Sequence, residues 1–183
     1  METKEYNVYK FKELTAEAKE KAIESCRDIN TDYDWYQFIF EDWTEKLERQ
    51  GFLDARIYFS GFYSQGDGAC FTCKIDLEKL LTGRRLKSVY KKAIDSYNND
   101  YLSIEIKTSG HYSHEYTMSL DYYDQKDVVT EKLADFIITE ARNQAQTIYK
   151  ELKESYEYLT SNESIIETIE SNDYDFTVNG KID

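Results

Sequence analysis

Apolar residues recur along the chain in two rhythms, every second position and every third or fourth, and these divide it into strands and helices. Tyr6, Val8 and Lys10 alternate with Asn7, Tyr9 and Phe11, which predicts a short opening strand over Tyr6–Phe11. Thr15 stands as N-cap of a helix with the stripe Ala18, Ala22, Cys26 joined by Ile23 and Ile29, and Leu14 holds the staple position. Thr31 with Asp34 three residues on resembles a capping box with a shorter acid. A second helix is therefore predicted from about Asp32 to Gln50, with Tyr36, Ile39, Phe40, Trp43 and Leu47 as its stripe and Gly51 as its end.

Ala55–Tyr63 and Ala69–Ile75 read as strands joined by the turn Gly66-Asp67-Gly68, a hairpin by turn chemistry. After Gly83, the residues Leu86, Val89, Tyr90, Ala93, Ile94 and Tyr97 share one helix face. Asn98-Asn99-Asp100 breaks the chain, and Tyr101–Thr108 and Tyr112–Tyr123 read as two strands joined around Gly110. From Val128 to about Leu159 an apolar repeat runs without Gly or Pro, which predicts one long helix. A short helix over Glu163–Glu170 and a terminal strand over Asp175–Val178 follow. The expected fold is α+β, an antiparallel sheet of four or more strands with helices packed on one face, including one long C-terminal helix. No repeat and no low-complexity linker divides the chain, so it reads as a single domain over 1–183 with an acidic segment at 154–183.

Charge sharpens this picture. The 183 residues carry 23 Lys and Arg against 36 Asp and Glu, a net charge of −13, and residues 154–183 alone hold eight acids and one lysine. Apolar runs fall well short of the ~18 residues that span a bilayer, so no membrane partner is expected. The first thirty residues are charged throughout without an apolar leader, which points to the cytoplasm. Three cysteines, Cys26, Cys70 and Cys73, are read as reduced thiols. Proline is absent and tyrosine occurs 17 times, a bias that suggests the AT-rich genome of a low-GC bacterium or its phage.

Several constellations could carry chemistry. Cys70-x-x-Cys73 and His111-x-x-His114 supply the residue types of a Cys2His2 zinc set, but both pairs fall in segments read as strands, where residues three apart point to opposite faces; no metal is expected there. Glu105 and Lys107 share a strand face with Asp95 upstream, as in metal-dependent nucleases, and Mg²⁺ would be needed only on that alternative. The competing reading of Glu105 and Lys107 is a solvated face with a cross-strand ion pair, and no catalytic set is favoured. Arg84, Arg85, Lys87, Lys91 and Lys92 form a basic island that could touch phosphates, or pair with acids of the same chain. No phosphate-binding loop or nucleophile elbow is present.

The acid surplus also permits mimicry of nucleic acid: at one charge per ~1.7 Å of duplex, 13 net charges correspond to about 22 Å. Tyr and Trp anchor interfaces well, and Tyr33, Trp35, Tyr63, Tyr112, Tyr122 and Tyr123 lie off or at the edge of the apolar stripes.

The most distinctive string is Ile57-Tyr-Phe-Ser-Gly-Phe-Tyr-Ser-Gln-Gly-Asp-Gly-Ala-Cys-Phe71, preceded by Asp28–Tyr36 and by the helix start Leu14–Ile23. It resembles a family of phage and mobile-element proteins with an SGFxSQGDGAxF signature, mostly uncharacterised and sometimes labelled antitoxin-like. The resemblance covers about residues 5 to 76. It implies an inhibitor of bacterial immunity, with a type II anti-CRISPR that binds Cas9 with its guide RNA and blocks DNA engagement as the best expectation. A nuclease acting on guide RNA and an antitoxin neutralising a basic toxin are the alternatives. The partner-binding residues expected on this reading are Tyr63, Ser64, Gln65 and Asp67 of the motif, Tyr33 and Trp35, and Glu163, Glu167, Glu170, Asp173 and Asp175 of the acidic segment, which would face a basic DNA channel. Ser60, Ser64, Gln65 and Asp67 are polar positions that a hairpin does not itself require, although self-bonding within the turn would also explain them. A homodimer stays open.

Overall fold

The computed structural model describes residues 7–110 and 112–183; Tyr6 and His111, which the sequence reading used, lie outside them. In chain order the elements are β1 (Tyr9–Lys10), α1 (Ala16–Ser25), α2 (Gln37–Gln50), β2 (Phe52–Ser60), β3 (Gly68–Ile75), α3 (Leu77–Gly83), α4 (Lys91–Tyr97), β4 (Leu102–Thr108), β5 (Met118–Asp124), α5 (Glu131–Leu159), α6 (Asn162–Ser171) and β6 (Asp175–Phe176). The fold is α+β with a four-stranded antiparallel sheet in the order β2-β3-β4-β5 and a long C-terminal helix, α5. Among the described residues no helix is long and apolar enough to cross a membrane. Contacts divide the chain into two units: residues up to Tyr36 with Glu154–Asp183, and Gln37–Lys153.

The larger unit, Gln37–Lys153, holds the sheet. Alternation along β4 buries Leu102, Ile104 and Ile106 and leaves Ser103, Glu105 and Lys107 on the other face. Phe52, Ile57, Phe71, Cys73 and Ile75 extend the buried set across β2 and β3. Trp43 and Leu47 of α2 and Leu133, Ile137, Ala141, Ala145 and Ile148 of α5, spaced three and four apart, are buried in the same unit. Phe52 meets Phe71 edge to face at 5.7 Å. The opposite sheet face is polar and carries the pairs Lys74–Asp54 and Lys107–Asp121.

The smaller unit packs Phe11, Leu14, Ala18, Ala22 and Cys26 against Ile165, Ile169 and Phe176, with β1 and β6 paired antiparallel. Thr15 is the N-cap of α1, its Oγ1 accepting from the Ala18 amide at 3.3 Å. Asn30 is buried and fully bonded: its Nδ2 donates to the Leu159 carbonyl at 3.0 Å and to Ser164 Oγ at 3.1 Å, and its Oδ1 accepts from Thr168 Oγ1 at 2.7 Å.

The terminal strand is shorter than expected, Asp175–Phe176, and the other differences from the sequence reading each have a physical cause. The opening strand is only two residues, because Phe11–Glu13 winds into a 3-10 turn. Helix α2 starts at Gln37 rather than Asp32: the Thr31 hydroxyl donates back to the Asp28 carbonyl, and Asp34 accepts from the Tyr36 hydroxyl, so the expected box does not form. The first long strand is shifted to Phe52–Ser60, since Phe62 turns away from the strand into a buried aromatic stack. The basic segment after Gly83 is not one helix, because Arg85 takes a φ of +61° and only Lys91–Tyr97 is helical. Before it, Asp76 caps the unforeseen α3 by accepting from the Lys79 amide. Lastly, β5 begins at Met118, because Glu115–Thr117 forms a 3-10 turn whose N-cap is His114.

Candidate functional site

The end of the sheet where β2 turns into β3 concentrates exposed aromatic rings. The turn is built from the motif itself. Asp67 faces inward and its Oδ2 accepts from the Tyr63 amide at 2.8 Å and the Ser64 amide at 2.6 Å, which ties the loop to its own base. Gly66 has a φ of +95°, which L side chains rarely adopt. The Gly68 backbone lies so near the 113–114 segment that a Cβ there would stand 3.0 Å from His114 Cα and 3.1 Å from the Ser113 carbonyl oxygen. The motif's Asp67 and glycines therefore serve the backbone, while Tyr63, Ser64 and Gln65 are left exposed.

The loop between β4 and β5 completes the surface. The Tyr112 ring lies over Gly66, and His114 stacks on Tyr116 with centroids 5.3 Å apart. Tyr63 is 75% exposed, Tyr112 64% and Tyr116 71%, so three rings stand in solvent on two loops packed against each other. Beneath them Phe62 is buried between Phe59 and Tyr149, stacked at 5.7 and 5.6 Å. Arg142 sits under Tyr116, 5.6 Å from the ring centroid, and donates from Nη2 to the Met118 carbonyl at 3.0 Å.

The electrostatics below the rings are those of a supporting layer. Glu115 is buried, its Oε1 accepting from Gln146 Nε2 at 3.0 Å and its Oε2 lying 3.0 Å from His114 Nδ1. That nitrogen accepts from the Tyr116 amide at 3.2 Å. Burial, with Asp67, Glu115 and Tyr63 adding, pushes the Tyr149 phenol above its ordinary value. Arg142, Gln146 and Tyr149 are spaced i, i+4, i+7 along α5, a polar stripe that the sequence displays but that the reading of α5 by its apolar positions passed over. Tyr116 escaped notice because its segment read as strand.

The remaining predicted residues fall elsewhere. Trp35, half-buried against Tyr36 and Tyr156, and exposed Tyr33 belong to the smaller unit. So do the acidic residues, of which Asp173 and Asp175 pair with Lys10 and Glu170 with Lys12, while Glu163 and Glu167 are exposed. Tyr122 and Tyr123 lie on β5. Of the basic island, Arg84 pairs with Glu140 and Lys87 with Glu78; Arg85, Lys91 and Lys92 are exposed.

Glu105 and Lys107 share the polar sheet face and line a groove with Asp54, Arg56 and Lys74, where Lys107 holds Asp121 across the strands. Asp95 lines a different cleft, with Glu78, Arg85 and Lys91. Cys70 and Cys73 are buried free thiols, and burial pushes Cys73 up to about 12. Among the described residues no three His, Cys, Asp or Glu side chains converge as a metal site would require.

No curated protein and no solved structure matches the chain. Residues 35–162, which include the whole sheet, both aromatic loops and α5, match the family described as Domain of unknown function (DUF8835), and the chain belongs to that family.

Proposed function

We propose that this protein acts by occupancy, binding a partner protein through the loop end that carries Tyr63, Tyr112 and Tyr116. The observation that carries the reading is three exposed rings on two loops that meet at Gly66 and Gly68, one of them tied by Asp67. Tyrosine offers large amphipathic contact area at little cost in side-chain entropy, and preset loops lower the ordering cost of association. Ser64 and Gln65 add polar contacts beside the rings.

The partner we propose is Cas9 loaded with guide RNA, in the cytoplasm of a bacterial host, with DNA engagement blocked. What supports this choice is the resemblance of Ile57–Phe71 to phage and mobile-element proteins, together with the net charge of −13, which suits a protein that meets a basic nucleic-acid channel.

The test is a Cas9 cleavage reaction with the protein added, run on a denaturing gel that displays target DNA and guide RNA together. Intact DNA with intact RNA is expected, and the triple substitution Tyr63→Ser, Tyr112→Ser, Tyr116→Ser should restore cutting. DNA cut as usual by the wild-type mixture overturns the choice of partner. Inhibition that survives the triple substitution overturns the choice of surface, and shortened RNA overturns occupancy in favour of nuclease action.

A further inference from the structure

The two edges of the four-stranded sheet differ in how they are protected. At the β2 edge Asp54 takes a φ of +54° and the register with β3 shifts between Leu53 and Arg56, a bulge of the kind that blunts an edge against pairing. The β5 edge has no bulge; its charged side chains are Asp121, paired with Lys107, and Asp124, turned to the Val128 and Val129 amides. Its register with β4 is unbroken from Leu102 opposite Asp124 to Thr108 opposite Met118, and the strand Met-Ser-Leu-Asp-Tyr-Tyr-Asp contains neither Pro nor Lys.

Backbone parity identifies which groups face outward. The Ser109 amide donates to the Thr117 carbonyl and the Gln125 amide to the Tyr101 carbonyl, each continuing the β4–β5 ladder past one of its ends. Antiparallel ladders alternate bonded and non-bonded pairs, so residues 117, 119, 121, 123 and 125 direct their backbone toward β4. Met118, Leu120, Tyr122 and Asp124 direct theirs away from it. The Met118 carbonyl agrees, since it accepts from Arg142 of α5 rather than from β4. The amides and carbonyls of Leu120, Tyr122 and Asp124 have no backbone partner among the described residues.

We propose that this edge pairs with the same edge of a second copy, antiparallel about a two-fold axis at Tyr122, joining two sheets into one of eight strands. A symmetric pairing must set outward residues opposite outward residues, and three or more such pairs within Met118–Asp124 require an axis at Leu120, Asp121 or Tyr122. An axis at Asp121 would place two carboxylates in a close non-bonded pair, which is repulsive. An axis at Leu120 would set Tyr122 opposite Met118, whose carbonyl already accepts from Arg142.

An axis at Tyr122 avoids both. Tyr122 meets its own copy and Leu120 meets Asp124, so three bonded pairs form from groups that are otherwise unpaired. Tyr123 then faces Asp121, whose charge Lys107 already offsets. Tyr122 and Tyr123 are exposed and available for this. Because the paired strands are antiparallel, the two Tyr63–Tyr112–Tyr116 loop ends lie toward opposite ends of the joined sheet, and the pairing stands independently of which partner those loops bind.

An interface made mainly by one strand lies at the small end of specific contacts, so the dimer should dissociate on dilution through the range of about 10–100 μM. Sedimentation velocity on the full chain, up to about 0.5 mM, should show reversible self-association on that scale. Tyr122→Pro removes an outward amide and an exposed ring but no bond to β4, and should leave the chain folded by circular dichroism yet monomeric. Mild oxidation of Tyr122→Cys should yield a covalent dimer, since a bonded pair sets its Cα atoms about 5.5 Å apart, within disulfide range. Leu120→Cys, facing residue 124 instead, should not.

A chain monomeric at every concentration overturns the proposal and leaves the edge to a strand from a different protein. A dimer that survives Tyr122→Pro, or Leu120→Cys cross-linking in preference to Tyr122→Cys, overturns it as well.

Discussion

A methyl group added at Gly68 would meet backbone on the facing loop, whereas one added at Gly83 would meet nothing within 4 Å. Gly68→Ala is therefore expected to push the 113–114 segment away, at a cost of about 1–3 kcal/mol, while Gly83→Ala should hold or raise stability by up to about 1 kcal/mol. Urea midpoints of the two variants check the contrast, and equal midpoints would refute the close approach at Gly68. Cys73 gives a pH-dependent counterpart. Burial raises its thiol to about 12, above the ordinary 9.0, so the folded state keeps a proton that the unfolded chain releases. Its contribution is complete below about pH 9 and declines as pH climbs toward 12. Wild-type protein should lose more stability between pH 9 and 11 than Cys73→Ala, since lysines and tyrosines titrate alike in both; parallel slopes would remove the thiol from the argument.

Elements were legible in the sequence where local chemistry and burial agree, as in the long apolar repeat of α5 and the motif hairpin. They were misread where a side chain chose a different local partner. Thr31 looks like a cap, yet its hydroxyl bonds the Asp28 carbonyl, and α2 starts six residues later. Asp76 before Leu77, Leu80 and Leu81 was a readable cap that the reading passed over in favour of the basic stripe after Gly83. The candidate site was half visible: the motif announced Tyr63, Ser64 and Gln65, but Tyr116, Arg142 and Tyr149 reach it only through the tertiary packing of a distant loop and helix. Asn30 is a similar case of long-range bonding, and it ties three segments of the smaller unit together through Leu159, Ser164 and Thr168. Asn30→Leu keeps the branching at Cγ but puts two bulkier methyls where the amide was and strands those partners, so a loss of about 2–4 kcal/mol is expected. A loss below 1 kcal/mol in chemical denaturation would show that the network contributes little.

At the scale of the whole molecule, net charge and the tyrosine surface should govern different steps of partner binding. A charge of −13 acts at distances up to the Debye length of about 8–10 Å, so it speeds encounter with a basic partner and fades as salt is added. On the proposed function the rings would act only in contact, where they would slow dissociation. Several acidic residues of the C-terminal segment are already paired, Asp173 and Asp175 with Lys10 and Glu170 with Lys12, whereas Glu163 and Glu167 are exposed without an ion pair among the described residues. Glu163→Gln with Glu167→Gln should therefore lower the association rate about two- to fivefold at low salt and flatten its salt dependence, leaving dissociation unchanged. Loss of one ring by Tyr116→Ser should instead raise the dissociation rate about tenfold at every salt concentration. Surface plasmon resonance on immobilised Cas9 and guide RNA at two ionic strengths separates these outcomes. An association rate indifferent to salt removes steering from the mechanism, and a dissociation rate indifferent to Tyr116 moves the contact away from the loop end.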